Sequence, residues 1–110
     1  RRPLLKAALR GIAKGHRFMR ANKDKTVQYF VEARKGATQE QANGNYDDWL
    51  NLFGWRDGLA ADAAVQETVT FQREVLGIKE ADFKFTVAQG FDFSFAIEAR
   101  DELNAAGWKP

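Results

Sequence analysis

The sequence predicts an all-α chain of about five helices, with one extended connector near residues 82–91. Three observations predict it. Apolar residues recur at spacings of three and four through most of the 110 residues, as one face of a helix requires. Gly36, Gly77 and Gly107 punctuate those stretches where helices end in a left-handed residue. Strand-like alternation appears at one place, Phe83, Phe85 and Val87, so a strand there has no partner and an extended connector is expected.

Pro3 suits the first turn of a helix, where its missing N–H costs nothing. From there Leu5, Leu9, Ile12, His16 and Met19 share one face, expected to point inward. Arg2, Lys6, Arg10, Lys14, Arg17 and Arg20 line an adjacent face, expected to be solvated. Gly11 and Gly15 leave room for close approach of another element, at about 1 kcal/mol of helix propensity each.

Asn22 is placed to cap a second helix with Val27, Phe30 and Val31 inward, stopped by Gly36. Thr38 and Gln41 have the spacing of a capping box and start a third, whose apolar positions are Tyr46, Trp49, Leu50 and Phe53. "GWRDGLAAD" reads as a loop. A fourth helix over about 60–76 carries Val65, Val69, Val75 and Leu76. After the connector, Asp92 or Ser94 caps a last helix over about 93–106, with Ala96, Ala99, Leu103 and Ala106 inward. The whole of residues 1–110 is one helical domain, or a fragment of a larger protein.

Composition supports a packed core: 45% of residues are hydrophobic, with nine Phe and three Trp. No apolar run approaches the roughly 20 residues of a membrane span. Arg1 and Arg2 lead into an amphipathic stretch, not the apolar plug of a signal peptide, which leaves the compartment open. Without Cys there is no disulfide scaffold and no thiolate zinc site. The formal charge of +2 hides an asymmetry. Residues 1–35 carry eleven Lys/Arg against two acids, a net of +9; residues 36–110 carry six against thirteen, a net of −7. Either the halves lie against each other, or the basic half meets an acidic partner or nucleic acid. The basic stripe has no interleaved aromatics for base stacking and no groove-reading motif around it, so it argues little for nucleic acid.

The catalytic inventory is thin. Ser94 is the one serine and His16 the one histidine, and a Ser-His-acid arrangement would need them together. Ser94 has the position of a helix cap and His16 that of an inward ring. One His without Cys makes no typical zinc set, and Asp47 and Asp48 point apart on a helix. Glu98, Asp101 and Glu102 read as a solvated, charge-laced face beside Arg100. No catalytic residue, metal site or cofactor is therefore assigned, and no enzymatic activity is expected. Trp55 and Arg56, in the "GWRDG" loop, are the candidates for ligand contact, because an indole beside a guanidinium can hold a planar anion.

The order of these features resembles the C-terminal helical segment of ABC-transporter periplasmic substrate-binding proteins of the nitrate, sulfonate, taurine and thiamine-pyrimidine-precursor type. The resemblance rests first on "PLLKAALRGIAKGHRFMRANKDK", through Pro3, Leu5, Leu9, Lys14, Gly15 and Asn22, with Gly11 where the family often has Ala. A Gly-Trp loop leading into a long helix follows in "GWRDGLAADAAVQETVTFQREVLGI". The terminal pattern is matched at Asp92, Ser94, Phe95, Ala96, Ala99, Glu102 and Leu103. The resemblance implies that the chain, which lacks an initiator Met, is the C-terminal third of a two-lobed protein. Its parent would capture a small organic or inorganic anion, or a related nutrient, outside the cytoplasm and deliver it to an ABC permease. The chain itself would be structural bracing, and no ligand residue carries over. Detached from its lobes it is expected to self-associate, since a bracing helix exposes an apolar face when alone. The other reading is a free-standing helical interaction module whose basic first helix binds an acidic partner or nucleic acid.

Overall fold

A computed structural model describes residues 1–82 and 87–110, and these are helical throughout their regular structure, with no strand among them. The elements are α1 (Arg2–Ala21), α2 (Lys23–Ala33), α3 (Gln39–Leu52), α4 (Asp62–Val75), the single turn α5 (Val87–Gly90) and α6 (Ser94–Ala105). Two 3-10 turns, Gly54–Arg56 and Glu80–Asp82, punctuate the connections.

Local chemistry explains most boundaries. Pro3 stands in the first turn of α1. Thr38 and Gln41 form the reciprocal capping box that starts α3: the Gln41 N–H donates to Thr38 Oγ1 at 3.2 Å, and the Thr38 N–H donates to Gln41 Oε1 at 3.1 Å. Gly36, Gly77 and Gly107 all take positive φ, as stop residues should. At α6 the N-cap is Phe93, which makes no side-chain cap bond, not Asp92 or Ser94; Asp92, one residue earlier, accepts the Ser94 N–H at Oδ1 at 2.9 Å and turns the chain into the helix. Asn22 departs from expectation. Its side chain makes no cap bond to α2 but donates from Nδ2 to Phe18 O at 2.9 Å, closing the end of α1.

The connector is corrected in part. Residues 80–82 form a 3-10 turn and Val87–Gly90 a helical turn, because a lone strand has no partner for its backbone groups and a local turn satisfies them. Phe83 and Phe85 lie outside the described residues. Phe91 and Phe93, in the irregular stretch before α6, stack on each other with ring centroids 6.1 Å apart.

Burial falls in three places, one of them Val65 and Val69 on the inner side of α4, as expected. Val27, Ala42 and Tyr46 form the core of the α2–α3 hairpin, with Phe30, Val31, Trp49 and Leu50 packed on it. Ala13 of α1 and Ala99 and Leu103 of α6 are buried in the pair of helices that make the closest packing in the chain. The small side chains explain how α1 and α6 come so near.

The largest correction concerns α1. Its buried residues are Ala13 and Arg17, on or beside the charged stripe; of the face expected inward, Leu9, His16 and Met19 are half-buried, whereas Ile12 is 56% exposed and Leu5 44%, with neighbouring Leu4 at 76%. A Cβ added at Gly11 or Gly15 on the outer side would meet nothing within 4 Å, so these glycines accommodate no neighbour within the chain. Phe53, Val75 and Leu76, expected inward, are also exposed. Phe53 and Leu76 are the C-caps of α3 and α4, and Val75 is the last residue of α4. The surface is correspondingly large: 8124 Å² against about 6,100 Å² for a compact monomer of this mass. The radius of gyration, 17.1 Å, exceeds the ~13 Å of a globular domain of this length.

Leu103→Ala, at 4% exposure between α1 and α6, is expected to cost about 2–4 kcal/mol. Leu4→Ala should change stability by no more than ~0.5 kcal/mol. Thermal unfolding of the two variants beside the parent chain checks the contrast.

Candidate functional site

The polar centre of the molecule lies where α1 passes the Gly54–Gly58 turn and the end of α6. The turn is tight. Both the Arg56 and the Gly58 N–H groups donate to Phe53 O, at 3.0 and 3.1 Å, and Asp57 adopts a left-handed φ of 53°. Two glycines permit it. A Cβ at Gly54 would come within 2.9 Å of the Trp49 ring, and one at Gly58, where φ is 88°, within 2.5 Å of His16 Nε2.

This geometry drives the Asp57 carboxylate under α1. Its Oδ2 accepts from Arg17 Nη2 at 2.7 Å and Nε at 3.1 Å, while Oδ1 accepts from Arg20 Nη1 at 3.4 Å. Arg17 also donates from Nη2 to Asn104 Oδ1 at 2.6 Å and from Nη1 to Trp108 O at 3.4 Å. The side chains of Arg17 and Asp57 are each 9% exposed. Such a buried charge is tolerable only because its partners satisfy it. Arg20 donates to Gly54 O at 2.6 Å, tying the same turn to α1 a second time.

His16 completes the junction. Its ring stacks on Trp49, with centroids 5.5 Å apart and planes 10° from parallel, and its Nδ1 accepts the Trp49 Nε1–H at 3.1 Å. Accepting at Nδ1 requires the neutral ring with its proton on Nε2. Partial burial pushes the His16 pKa below its ordinary value; nearby Asp57 opposes this and Arg20 adds to it.

The basic stripe of α1, expected to be solvated, is matched along its length by the rest of the chain. Arg2 lies over the Phe95 ring at 5.0 Å. Lys6 pairs with Glu98 at 3.2 Å and with Glu102, and Arg10 with Glu102 at 2.7 Å. Lys14 lies over Trp108 at 5.3 Å, and Arg17 and Arg20 take Asp57. Hydrogen bonds from Lys6 and Arg10 hold the Glu102 carboxyl below its usual range, and Glu102 and Glu98 raise the Lys6 ammonium. Opposite charges on facing helices, absent from any single helix read alone, draw Lys6, Arg10, Arg17 and Arg20 inward beside the half-buried Leu9, His16 and Met19.

The residues singled out from sequence fare differently. Trp55 is 65% exposed, and the cation over its ring is Arg20, at 5.4 Å, not Arg56. Arg56 is exposed on the outer side of the turn. Trp55 and Arg56 are thus neighbours in sequence that the 3-10 turn directs apart. His16 is engaged with Trp49, and Ser94 with Asp92. Among the described residues no group of three or more His, Asp or Glu is placed to hold a metal ion, and no helix is long and apolar enough to cross a membrane. Sequence reasoning missed Asp57 altogether. Its signal was present in the "RDG" of the turn, since Asp followed by Gly favours a left-handed tight turn. Comparison with protein-family models, curated proteins and solved structures gives no match.

Asp57→Ala leaves Arg17 buried without its anion and should cost about 3–5 kcal/mol, measured by denaturant unfolding. His16 gives a pH signature. With its folded pKa lowered from 6.5, the neutral ring contributes stability in full above that value, and this is lost as the pH falls through the folded pKa. The unfolding midpoint should therefore drop on acidification below about 6.5. His16→Gln, checked by the same thermal scans, should flatten that part of the profile.

Proposed function

We propose that this chain is the C-terminal helical part of an extracytoplasmic solute-binding protein for ABC-type import. It would brace the lobes that capture a small anion or related nutrient for the permease and would carry out no catalysis itself. The observation that supports the reading is the exposed apolar stretch of α1. A helix that spends its charged face inside the chain and leaves Leu4, Leu5, Ile12, Gly11 and Gly15 open is suited to lie against a further apolar surface. The family resemblance of its sequence names that surface as an α/β lobe. The same pairing weighs against the interaction module with a basic docking helix, because Lys6, Arg10, Arg17 and Arg20 already have acidic partners in the chain.

The reading frame around Arg1 tests the assignment. It should encode two α/β lobes and an export signal upstream, with permease and ATPase genes nearby; a frame opening within a few residues of Arg1 would sink it. The isolated chain offers a physical test. Its surface excess of about 2,000 Å² is larger than the ~800 Å² per partner of a standard protein interface. Sedimentation at micromolar concentration should therefore give at least twice the 12.4 kDa monomer mass. A clean monomer under those conditions would contradict the bracing face.

A further inference from the structure

The groove between α2 and α3 has a different character from the open apolar faces. Part of it is a slot of about 180 Å³ walled by Val27, Phe30, Tyr46 and Trp49. Apart from Asn45 at its edge, the polar groups of this wall are turned elsewhere. The Tyr46 hydroxyl donates to Met19 O at 2.9 Å, the Thr26 hydroxyl to Asn22 O at 2.8 Å, and the Trp49 indole to His16. Water needs two to four polar partners to settle in such a space, whereas an apolar cavity of about 150 Å³ takes a benzene-sized guest. Dispersion contacts with these walls favour a ring or a branched chain.

A wider, open chamber of about 580 Å³ adjoins the slot, and Phe30 and Asn45 line both. The Arg34 guanidinium lies 5.7 Å over the Phe30 ring, so a positive charge stands at the mouth of the slot. Lys35 lines the chamber beside it. Among the described residues neither cation has an ion-pair partner, and the Asn45 amide has no hydrogen-bond partner. Asp48 on the chamber wall offsets one of the two cations, which leaves a single net positive charge. We infer that this groove binds a small monocarboxylate with an aromatic or branched apolar tail. The tail fills the slot, and the carboxylate accepts hydrogen bonds from Arg34, Lys35 and Asn45, whose charge-assisted members are the stronger ones.

The test is a titration of the isotopically labelled 110-residue chain with 3-phenylpropionate, with 3-phenylpropan-1-ol as the neutral analogue, followed by amide chemical shifts. Saturable shifts centred on Val27, Phe30, Asn45 and Trp49 are expected, with the carboxylate bound at least tenfold more tightly than the alcohol. The double variant Arg34→Gln, Lys35→Gln changes two exposed residues outside the core. It should bind the alcohol as before and lose the preference for the carboxylate. Shifts that fail to saturate, shifts strongest at Leu4, Ile12 and Phe71, equal affinity for the two compounds, or a preference that survives the double variant would each overturn the inference.

Discussion

The ionic seam along α1 is the constraint on which the rest of the structure depends. Lys6 and Arg10 meet Glu98 and Glu102 on α6, and Arg17 and Arg20 meet Asp57 in the turn after α3. The outer pairs are exposed, and pairs of that kind contribute ~0–1 kcal/mol each and weaken in salt. Arg17 with Asp57 is different. Both are nearly out of solvent, and the guanidinium is shared among a carboxylate, the Asn104 amide and the Trp108 carbonyl. That arrangement fixes the register of α1 against α6 and against the turn at once. Its importance lies less in net stabilisation than in geometry, because any other rotation of α1 would strand the buried Arg17 or Asp57.

From this follows the division of the molecule. The α2–α3 hairpin has its own small core around Val27, Ala42 and Tyr46, while α1 and α6 pack through Ala13, Ala99 and Leu103. His16, Trp49 and the Gly54–Gly58 turn join the two. Because α1 uses much of its charged side for this packing, Leu4, Leu5 and Ile12 face out, and the surface exceeds that of a compact chain. Exposed apolar residues scattered singly need no account; a whole helical stripe of them, with glycines at its centre, does. The bracing role we propose would supply one.

Much of the fold was legible in the sequence where the signals are local. The Thr38–Gln41 box and the stop glycines at 36, 77 and 107 depend on chemistry within four residues, and the helices lie close to where the periodicity puts them. The orientation of α1 was not legible, because two stripes of equal helical spacing lie on one helix and periodicity cannot rank them. The deciding fact is the match between Lys6 and Arg10 and their distant partners Glu98 and Glu102, each pair spaced by one turn. The charge asymmetry between the halves of the chain hinted at it. The candidate site was legible only in outline. The "GWRDG" stretch drew attention to Trp55 and Arg56, yet the buried participant is Asp57, and the cation over Trp55 comes from α1. Contacts across 30 to 90 residues leave no trace in local spacing.

The most direct measurement is hydroxyl-radical footprinting along α1, read by mass spectrometry at a submicromolar concentration dilute enough for the monomer. Strong oxidation at the side chains of Leu4, Leu5 and Ile12, with protection at Arg17, is the predicted pattern. Protected leucines beside freely accessible arginines would contradict it and would return α1 to an ordinary amphipathic helix with its charged face in water.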